Sequence, residues 1–391
     1  MIDKSLSCSA AIVGVGLSEI SRKVKKSNME LCLEAVQACL DDAGMTLSDI
    51  DGMIVPGGAP RGCDLDEVVK GLGINVRYCD QTWSHGRMTV PALIQAVMAI
   101  KHGLAHTIIL PRVCGFAKDG TVGGQNNREE FRELDGAHGE TPIYGLGGPI
   151  AGAAMVMRRY LNRYGGTHEQ MAAIPIAQRR HACLNPIATY QDELTLEKYM
   201  SSREAVEPLK IFDCAAVTDA AGCFIVTSAD RARDRKHPPA WIAGLQSMRA
   251  SRQESAFALP GLGVFHQDTF DFVPAPEDYS AYDMAGIKQS DIDTLGVLDS
   301  FTPQVVTTLE RFGFTRPGET LDWIQNGRIQ VGGELPLNTS GGHLSEAHIC
   351  GYGQIVEGVL QLRGVCGERQ VKNAKLFQYA HSAGDTIILR S

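Results

Sequence analysis

Residues 338–353 read NTSGGHLSEAHICGYG and precede an amphipathic segment at 354–362. The glycines Gly341 and Gly342 allow a positive φ and a close approach of the backbone to a ligand. The helix start expected after them offers free N–H groups to negative charge, and His348 can move protons near neutral pH. The stretch therefore predicts an enzyme that stabilises an oxyanion or enolate, with His348 as its main catalytic residue.

The composition is that of an ordinary globular enzyme, with 44% hydrophobic and 21% charged residues. A length of 391 residues predicts two or three domains. The net charge of −8 and the lack of a long basic block argue against a nucleic-acid partner. No apolar run reaches the roughly 18 residues of a membrane span, and residues 1–8 do not resemble a secretory signal. Eleven cysteines without a CxxC pair or a metal-ligand spacing predict reduced thiols, no metal site and a cytoplasmic location.

Short β-branched runs alternate with helical patterns along the chain, which predicts a layered α/β architecture. The predicted strands are 10–16, 52–55, 107–110, 294–297, 375–379 and 386–389. The predicted helices are 29–43, 152–164, 301–312, one from about residue 89, and one near 354–362.

One pattern occurs twice, around residues 86–110 and again around 341–380: a glycine turn, a long helix, a glycine and a strand. This repetition suggests an internal duplication. We predict an N-terminal half over 1–235 and a C-terminal half over 236–391. The polar, glycine-rich stretch 115–210 is predicted to be an inserted cap or loop region.

Several segments together resemble the thiolase superfamily, in its sterol-carrier-protein-type branch. They are AAIVGVGLSEISRK from residue 10, the segment 209–234, GVLDSF at 296–301, and NTSGGHLSEAHICGYGQIVEGVLQLRG from residue 338. The resemblance covers nearly the whole chain in the expected order. It implies the thiolase fold, with two similar halves layered as αβαβα, an active site between them, and a homodimer as the minimal unit.

The cysteine nucleophile of a thiolase has no counterpart here. That residue attacks a thioester from the start of the first buried helix. Within residues 82–103, one alignment puts Gly86 in the slot, and another puts Trp83 there, next to Ser84 and His85. The nearest cysteines lie outside the helix start, at Cys79 and Cys114.

The second thiolase cysteine is absent as well, because its region carries His381, Ser382 and Gly384. The histidine of the family's HD-x-F motif is Leu298 here, so that His348 alone remains of the usual thiolase catalytic set.

In lacking the nucleophile, the chain resembles the thiolase-like aldolases of steroid side-chain degradation. The Ser-Glu-Ala sequence within GGHLSEAH is also similar to theirs. Those enzymes cleave β-hydroxyacyl-CoA thioesters by a retro-aldol reaction. They place tyrosine at the positions of Leu298 and His348, where this chain departs from them. The resemblance implies CoA as part of the substrate, no covalently bound cofactor, and a small partner protein with a zinc ribbon and an OB-fold.

A retro-aldol step needs a base for the β-hydroxyl proton, donors for the enolate oxygen, and an acid for Cα. The predicted proton-transfer residues are His348 and, secondarily, His85, Asp299 and His381. The predicted oxyanion donors and substrate contacts are Gly86, Gly384, Gly341, Gly342 and Tyr352.

Structural roles compete with these interpretations. His348 and His381 can be hydrogen-bonded core residues, Asp299 can brace its loop, and Tyr352 can serve packing. His85 can cap a helix, and His343 is expected to be a turn residue. Two other functions also stay open: an acyl-CoA thiolase or acyltransferase with an atypical nucleophile, and a non-catalytic acyl-CoA-binding subunit of a heteromeric complex.

Overall fold

A computed structural model describes residues 4–23, 25–58, 61–82, 89–117, 149–248 and 279–391. The helices are α1 (Asn28–Ala43), α2 (Leu65–Leu72), α3 (Thr89–Lys101), α4 (Pro149–Tyr164), α5 (His168–Met171), α6 (Ala173–Cys183), α7 (Leu196–Met200), α8 (Ala229–Ala232), α9 (Ser280–Ala285), α10 (Thr302–Arg311), α11 (Thr320–Trp323), α12 (Gly342–Ser345) and α13 (Tyr352–Arg363). The strands are β1 (Ala10–Leu17), β2 (Gly52–Pro56), β3 (Tyr78–Thr82), β4 (Thr107–Gly115), β5 (Glu204–Val206), β6 (Leu209–Lys210), β7 (Asp219–Ser228), β8 (Ala240–Gln246), β9 (Thr294–Val297), β10 (Leu376–Ala380) and β11 (Thr386–Arg390).

Nine strands of the described residues form one mixed sheet in the order β3-β2-β4-β7-β1-β8-β11-β10-β9. The first five come from the N-terminal part of the chain and the last four from the C-terminal part. They join where β1, already paired with β7, also pairs antiparallel with β8 through Ala11 and Trp241. In each part an earlier strand pairs parallel with the strand that follows the long helix: β2 with β4 after α3, and β9 with β10 after α13.

The buried side chains separate into the layers of an αβαβα arrangement. One core contains apolar residues of α3 and α13 together with Ala10 and Ile12 of β1. The alternate β1 residues, Ala11 and Val13, belong to a second core with α1. A third core contains residues of α9 and α10 with β9. Helices α3 and α13 therefore form the central layer, between the two outer layers.

The local signals for α1 explain its ends. Ser27 forms a capping box with Glu30 at the N-terminus, which satisfies otherwise free N–H groups. Gly44 ends the helix in the left-handed conformation with φ 64°.

Among the described residues, none of the helices combines the length and the apolar character that a membrane span needs.

The strands and helices predicted in the described residues are present, with ends that differ by a few residues. The Gly-rich turn differs from the expectation, because the single-turn helix α12 and a loop separate it from α13. The two halves and the inserted region 115–210 stay predictions as domain units.

Candidate active site

Asp299 lies in the loop after β9 and is fully buried. Its carboxylate accepts hydrogen bonds from the His343 N–H at 2.9 Å, and from the side-chain amide of Gln354 at 2.8 Å. Burial raises its pKa to about 6, although these donors act in the opposite direction. Asp299 thus has the contacts of a brace for α12, and its catalytic role stays a prediction.

Gly341 and Gly342 have positive φ values of 111° and 57°. A Cβ atom on Gly342 would overlap the Asp299 carboxylate, and one on Gly341 would meet Ala182. The close approach that these glycines permit is therefore to the protein's own side chains. Their predicted contact with substrate stays a prediction.

His343 is buried in α12 and has a structural hydrogen bond. Its Nε2 accepts the Gly351 N–H at 3.1 Å, and its Nδ1 lies 3.9 Å from an Asp299 oxygen. Burial, and then the nearby His348 and His381, hold its pKa well below the usual value. The ring is therefore neutral and keeps the loop before α13 close to α12.

His348 lies in that same loop and is only partly buried. Its ring stacks on Phe116 at a centroid distance of 4.5 Å, and its Nε2 lies 3.3 Å from the Ser300 hydroxyl. The backbone N–H donates to the Thr218 hydroxyl at 3.1 Å. Burial lowers the pKa of the imidazole, so that at neutral pH it can accept a proton. The sequence did not indicate Ser300, 48 positions away.

His381 follows β10 and forms a buried pair with Asp385. Its Nδ1 lies 2.9 Å from the carboxylate, while within the described residues its Nε2 has no hydrogen-bond partner. The same holds for the hydroxyl of Ser382. A histidine oriented by a carboxylate at one nitrogen, with the other nitrogen free, has the arrangement of a proton-transfer group.

The contacts of Gly384 do not fit its predicted role as an oxyanion donor. Its N–H donates to the His381 carbonyl at 2.9 Å within the turn, and its own carbonyl accepts from Gln246 at 2.7 Å. Because the turn already uses this N–H, Gly384 is not a free oxyanion donor.

Tyr352 begins α13 in the central core, with its ring stacked 4.1 Å from that of Phe224. Its hydroxyl donates to the Leu110 carbonyl at 3.2 Å. These contacts are those of a packing residue, and a substrate contact stays a prediction. The other predicted residues, His85 and Gly86, lie outside the described residues.

A buried cluster of Arg112, Cys114 and Cys350, which the sequence did not indicate, lies near His348. An Arg112 nitrogen donates to the Cys350 thiol at 3.3 Å, and the Cys114 thiol lies 3.4 Å from the same sulfur. Another Arg112 nitrogen donates to the Pro56 carbonyl at 2.6 Å. Cys114 and Cys350 are both buried, so no thiol here faces open solvent.

Known proteins similar to this chain agree with this architecture. The family described as thiolase C-terminal domain-like matches residues 277–390. A steroid side-chain-cleaving aldolase of Thermomonospora curvata is 34% identical over 367 residues, covering 91% of this chain and 90% of that protein. A 17-hydroxy-3-oxo-4-pregnene-20-carboxyl-CoA lyase of Mycobacterium tuberculosis is 33% identical over 377 residues, covering 92% of each.

Solved structures give the same result. The solved structure of an Ltp2-ChsH2(DUF35) aldolase superposes with a TM-score of 0.86 and 30% identity, covering 99% of this chain and 98% of that one. Human mitochondrial 3-ketoacyl-CoA thiolase, at a TM-score of 0.66 and 14% identity, shares the fold. The chain belongs to the thiolase superfamily, in the branch that contains these thiolase-like aldolases. The predicted family and α/β thiolase fold are confirmed.

Proposed function

We propose that the chain catalyses retro-aldol cleavage of a β-hydroxyacyl-CoA thioester, with a steroid-like acyl group and with His348 and His381 as the proton-transfer residues. The site observation that carries the proposal is the neutral, partly exposed imidazole of His348, held between Phe116 and Ser300. The substrate class follows the names of the two relatives, a side-chain-cleaving aldolase and a CoA lyase.

The proposed steps balance without an external reagent. His348 takes the β-hydroxyl proton, and the Cα–Cβ bond breaks as the β-carbon becomes a ketone. The bonding electron pair moves into the thioester enolate, which then takes a proton at Cα. His381, which enters the step with a proton on each ring nitrogen, supplies this proton from Nε2, while Asp385 holds its Nδ1–H. The proton that His348 removed then passes through solvent to Nε2 of His381, which restores the starting state of both histidines.

The enolate oxygen needs fixed donors, because one such donor is typically worth about 3–4 kcal/mol in an oxyanion hole. Since the Gly384 N–H is engaged in its turn, we assign this role to the Gly86 N–H and the Ser382 hydroxyl. Ser382 fits because its hydroxyl is buried and lacks a hydrogen-bond partner within the described residues.

The assembly and location form part of the same proposal. We propose a homodimeric core that works with a small zinc-ribbon/OB-fold partner in the cytoplasm, with CoA entering as part of the substrate and no covalently held cofactor. Support for a partner comes from the name of the similar solved structure, Ltp2-ChsH2(DUF35) aldolase, which joins two protein names.

The test of the site is an assay on 17-hydroxy-3-oxo-4-pregnene-20-carboxyl-CoA, with and without a zinc-ribbon/OB-fold protein from the same genome. The proposal predicts a 17-ketosteroid and propanoyl-CoA. His348→Ala should lower kcat by roughly 10²–10⁴-fold, and Asp385→Asn should also lower it by favouring the wrong tautomer of His381. Thermal unfolding of each variant controls for folding. Unchanged turnover in His348→Ala would remove His348 from the mechanism.

A second function has a specific observation in its favour. The Cys350 sulfur accepts hydrogen bonds from Arg112 and from the Cys114 thiol, which favours a thiolate. An acyltransferase that uses Cys350 as its nucleophile would lose all turnover in Cys350→Ser, whereas the lyase would retain C–C cleavage. A non-catalytic acyl-CoA-binding subunit would bind the thioester and give no product in any combination.

A further inference from the structure

Cys114 and Cys350 take no part in the proposed lyase reaction, yet their thiols are in direct contact. Cys114 lies in β4 and Cys350 in the loop before α13, 236 positions apart in the chain. Their sulfur atoms are 3.4 Å apart, and both side chains are buried. The two thiols are therefore held in contact by the fold. If one of them were oxidised, the other would be the thiol next to it that could react with it.

Arg112 lies against both sulfurs and gives the Cys350 sulfur a second hydrogen-bond donor. Its guanidinium donates to Cys350 at 3.3 Å, so that the Cys350 sulfur accepts from both Arg112 and Cys114. Two donors on one sulfur favour its thiolate, which is the reactive form of cysteine. In agreement, the hydrogen bond from Cys114 lowers the pKa of Cys350, and the pKa of Cys114 is raised by the same contact and by burial.

We propose that Cys114 and Cys350 form a redox-responsive pair, which a hydroperoxide converts into an intramolecular disulfide. The Cys350 thiolate attacks one peroxide oxygen, the O–O bond breaks, and a sulfenic acid forms as hydroxide leaves. Cys114 then attacks the oxidised sulfur and displaces its hydroxyl group as water. The two thiols lose two electrons and two protons in all, and hydrogen peroxide is reduced to two molecules of water.

The disulfide would change the geometry next to His348. An S–S bond of about 2.05 Å requires the two sulfurs to approach by more than 1 Å, and it removes the thiolate that Arg112 contacts. Cys350 already has a left-handed φ of 53°, and its carbonyl accepts from the Thr89 hydroxyl at 2.6 Å. Movement of Cys350 would therefore shift both the start of α3 and the loop of His348. The effect on turnover rests on the proposed function, whereas formation of the bond does not.

The chain contains internal controls for this test. Cys39 and Cys223 are also buried in contact, without a described guanidinium between them, and Cys79 is exposed. Reduced, full-length protein would be treated with hydrogen peroxide, alkylated under denaturing conditions and mapped by peptide mass spectrometry. We expect the disulfide of Cys114 and Cys350 to form at least about tenfold faster than one of Cys39 and Cys223. Dithiothreitol should reverse it.

A cysteine variant separates oxidation of Cys350 from formation of the disulfide. Cys114→Ser should form no disulfide and should instead accumulate a sulfenic acid at Cys350 that dimedone traps. A Cys350 that stays reduced while Cys79 is oxidised would overturn the proposal. A sulfinic acid at Cys350 of the natural protein without a disulfide would do so too, as would equal oxidation of the pair Cys39 and Cys223. If the disulfide forms and lyase turnover is unchanged, the redox site stands and its control of activity is refuted.

Discussion

At the scale of single residues, buried neutral histidines are a recurring feature of this chain. His181, in α6, donates or accepts at both nitrogens: Nδ1 lies 3.2 Å from the Asn338 carbonyl, and Nε2 accepts the Val331 N–H at 3.1 Å. Burial lowers its pKa from 6.5 to about 4. A proton on Nε2 would displace the Val331 N–H, so that protonation and the native contact exclude each other.

This linkage predicts a pH-dependent stability. The unfolded chain binds a proton at His181 below about pH 6.5 and the folded chain only near pH 4, so stability falls as pH decreases through this window. Asp299, with its pKa raised to about 6, contributes with the opposite sign. The comparison of wild type with His181→Gln isolates the histidine. Urea unfolding should show the wild type's advantage over the variant shrinking by about 2 kcal/mol from pH 7 to pH 5. Parallel curves would contradict this assignment.

The sequence could predict His348 and its loop because a family motif lies within one continuous stretch. It could not predict Ser300, Arg112 or the meeting of Cys114 with Cys350, since those contacts join distant parts of the chain. The Gly384 N–H was assigned wrongly because the donor's use within its own turn depends on the backbone conformation between β10 and β11.

At the scale of secondary structure, the amphipathic helices α1 and α3 and the glycines that end them were predictable from spacing. Strand β7 was not, because it is buried on both faces and lacks an alternating pattern. The single turn of α12 was also missed, since it depends on Asp299 accepting the N–H groups of His343 and Leu344.

Substitutions of two separate glycines, one in β1 and one in α4, test the packing of the helices and strands. Gly16 of β1 lies directly under α1, where a Cβ would overlap the backbone of Ala35 and Cys39. Gly152 lies in α4, and a Cβ there would meet no other described residue within 4 Å. We expect Gly16→Ala to destabilise the fold by about 1–3 kcal/mol, and Gly152→Ala to stabilise it by about 0.5–1 kcal/mol. Chemical denaturation of both variants gives the comparison, and equal effects would show that α1 can move away from β1 at little cost.

At the scale of the whole molecule, the family, the layered fold and the class of enzyme predicted from the sequence are confirmed by relatives that span nearly the entire chain. The two parts of the sheet meet at the pairing of β1 with β8, which involves strands more than 200 positions apart. The contact between the predicted halves could therefore be expected only from the family resemblance, and the dimer and the partner protein stay proposals.

We expect this thiolase-like site, which lacks the usual nucleophile, to break a C–C bond and to form no acyl-enzyme. The most direct measurement follows one incubation with 17-hydroxy-3-oxo-4-pregnene-20-carboxyl-CoA in two ways, as products in solution and as the intact mass of the protein after an acid quench. The lyase predicts a 17-ketosteroid and propanoyl-CoA in equal amounts, with the protein mass unchanged. An acyl adduct on the protein, on Cys350 above all, together with free CoA and no ketone, would contradict it.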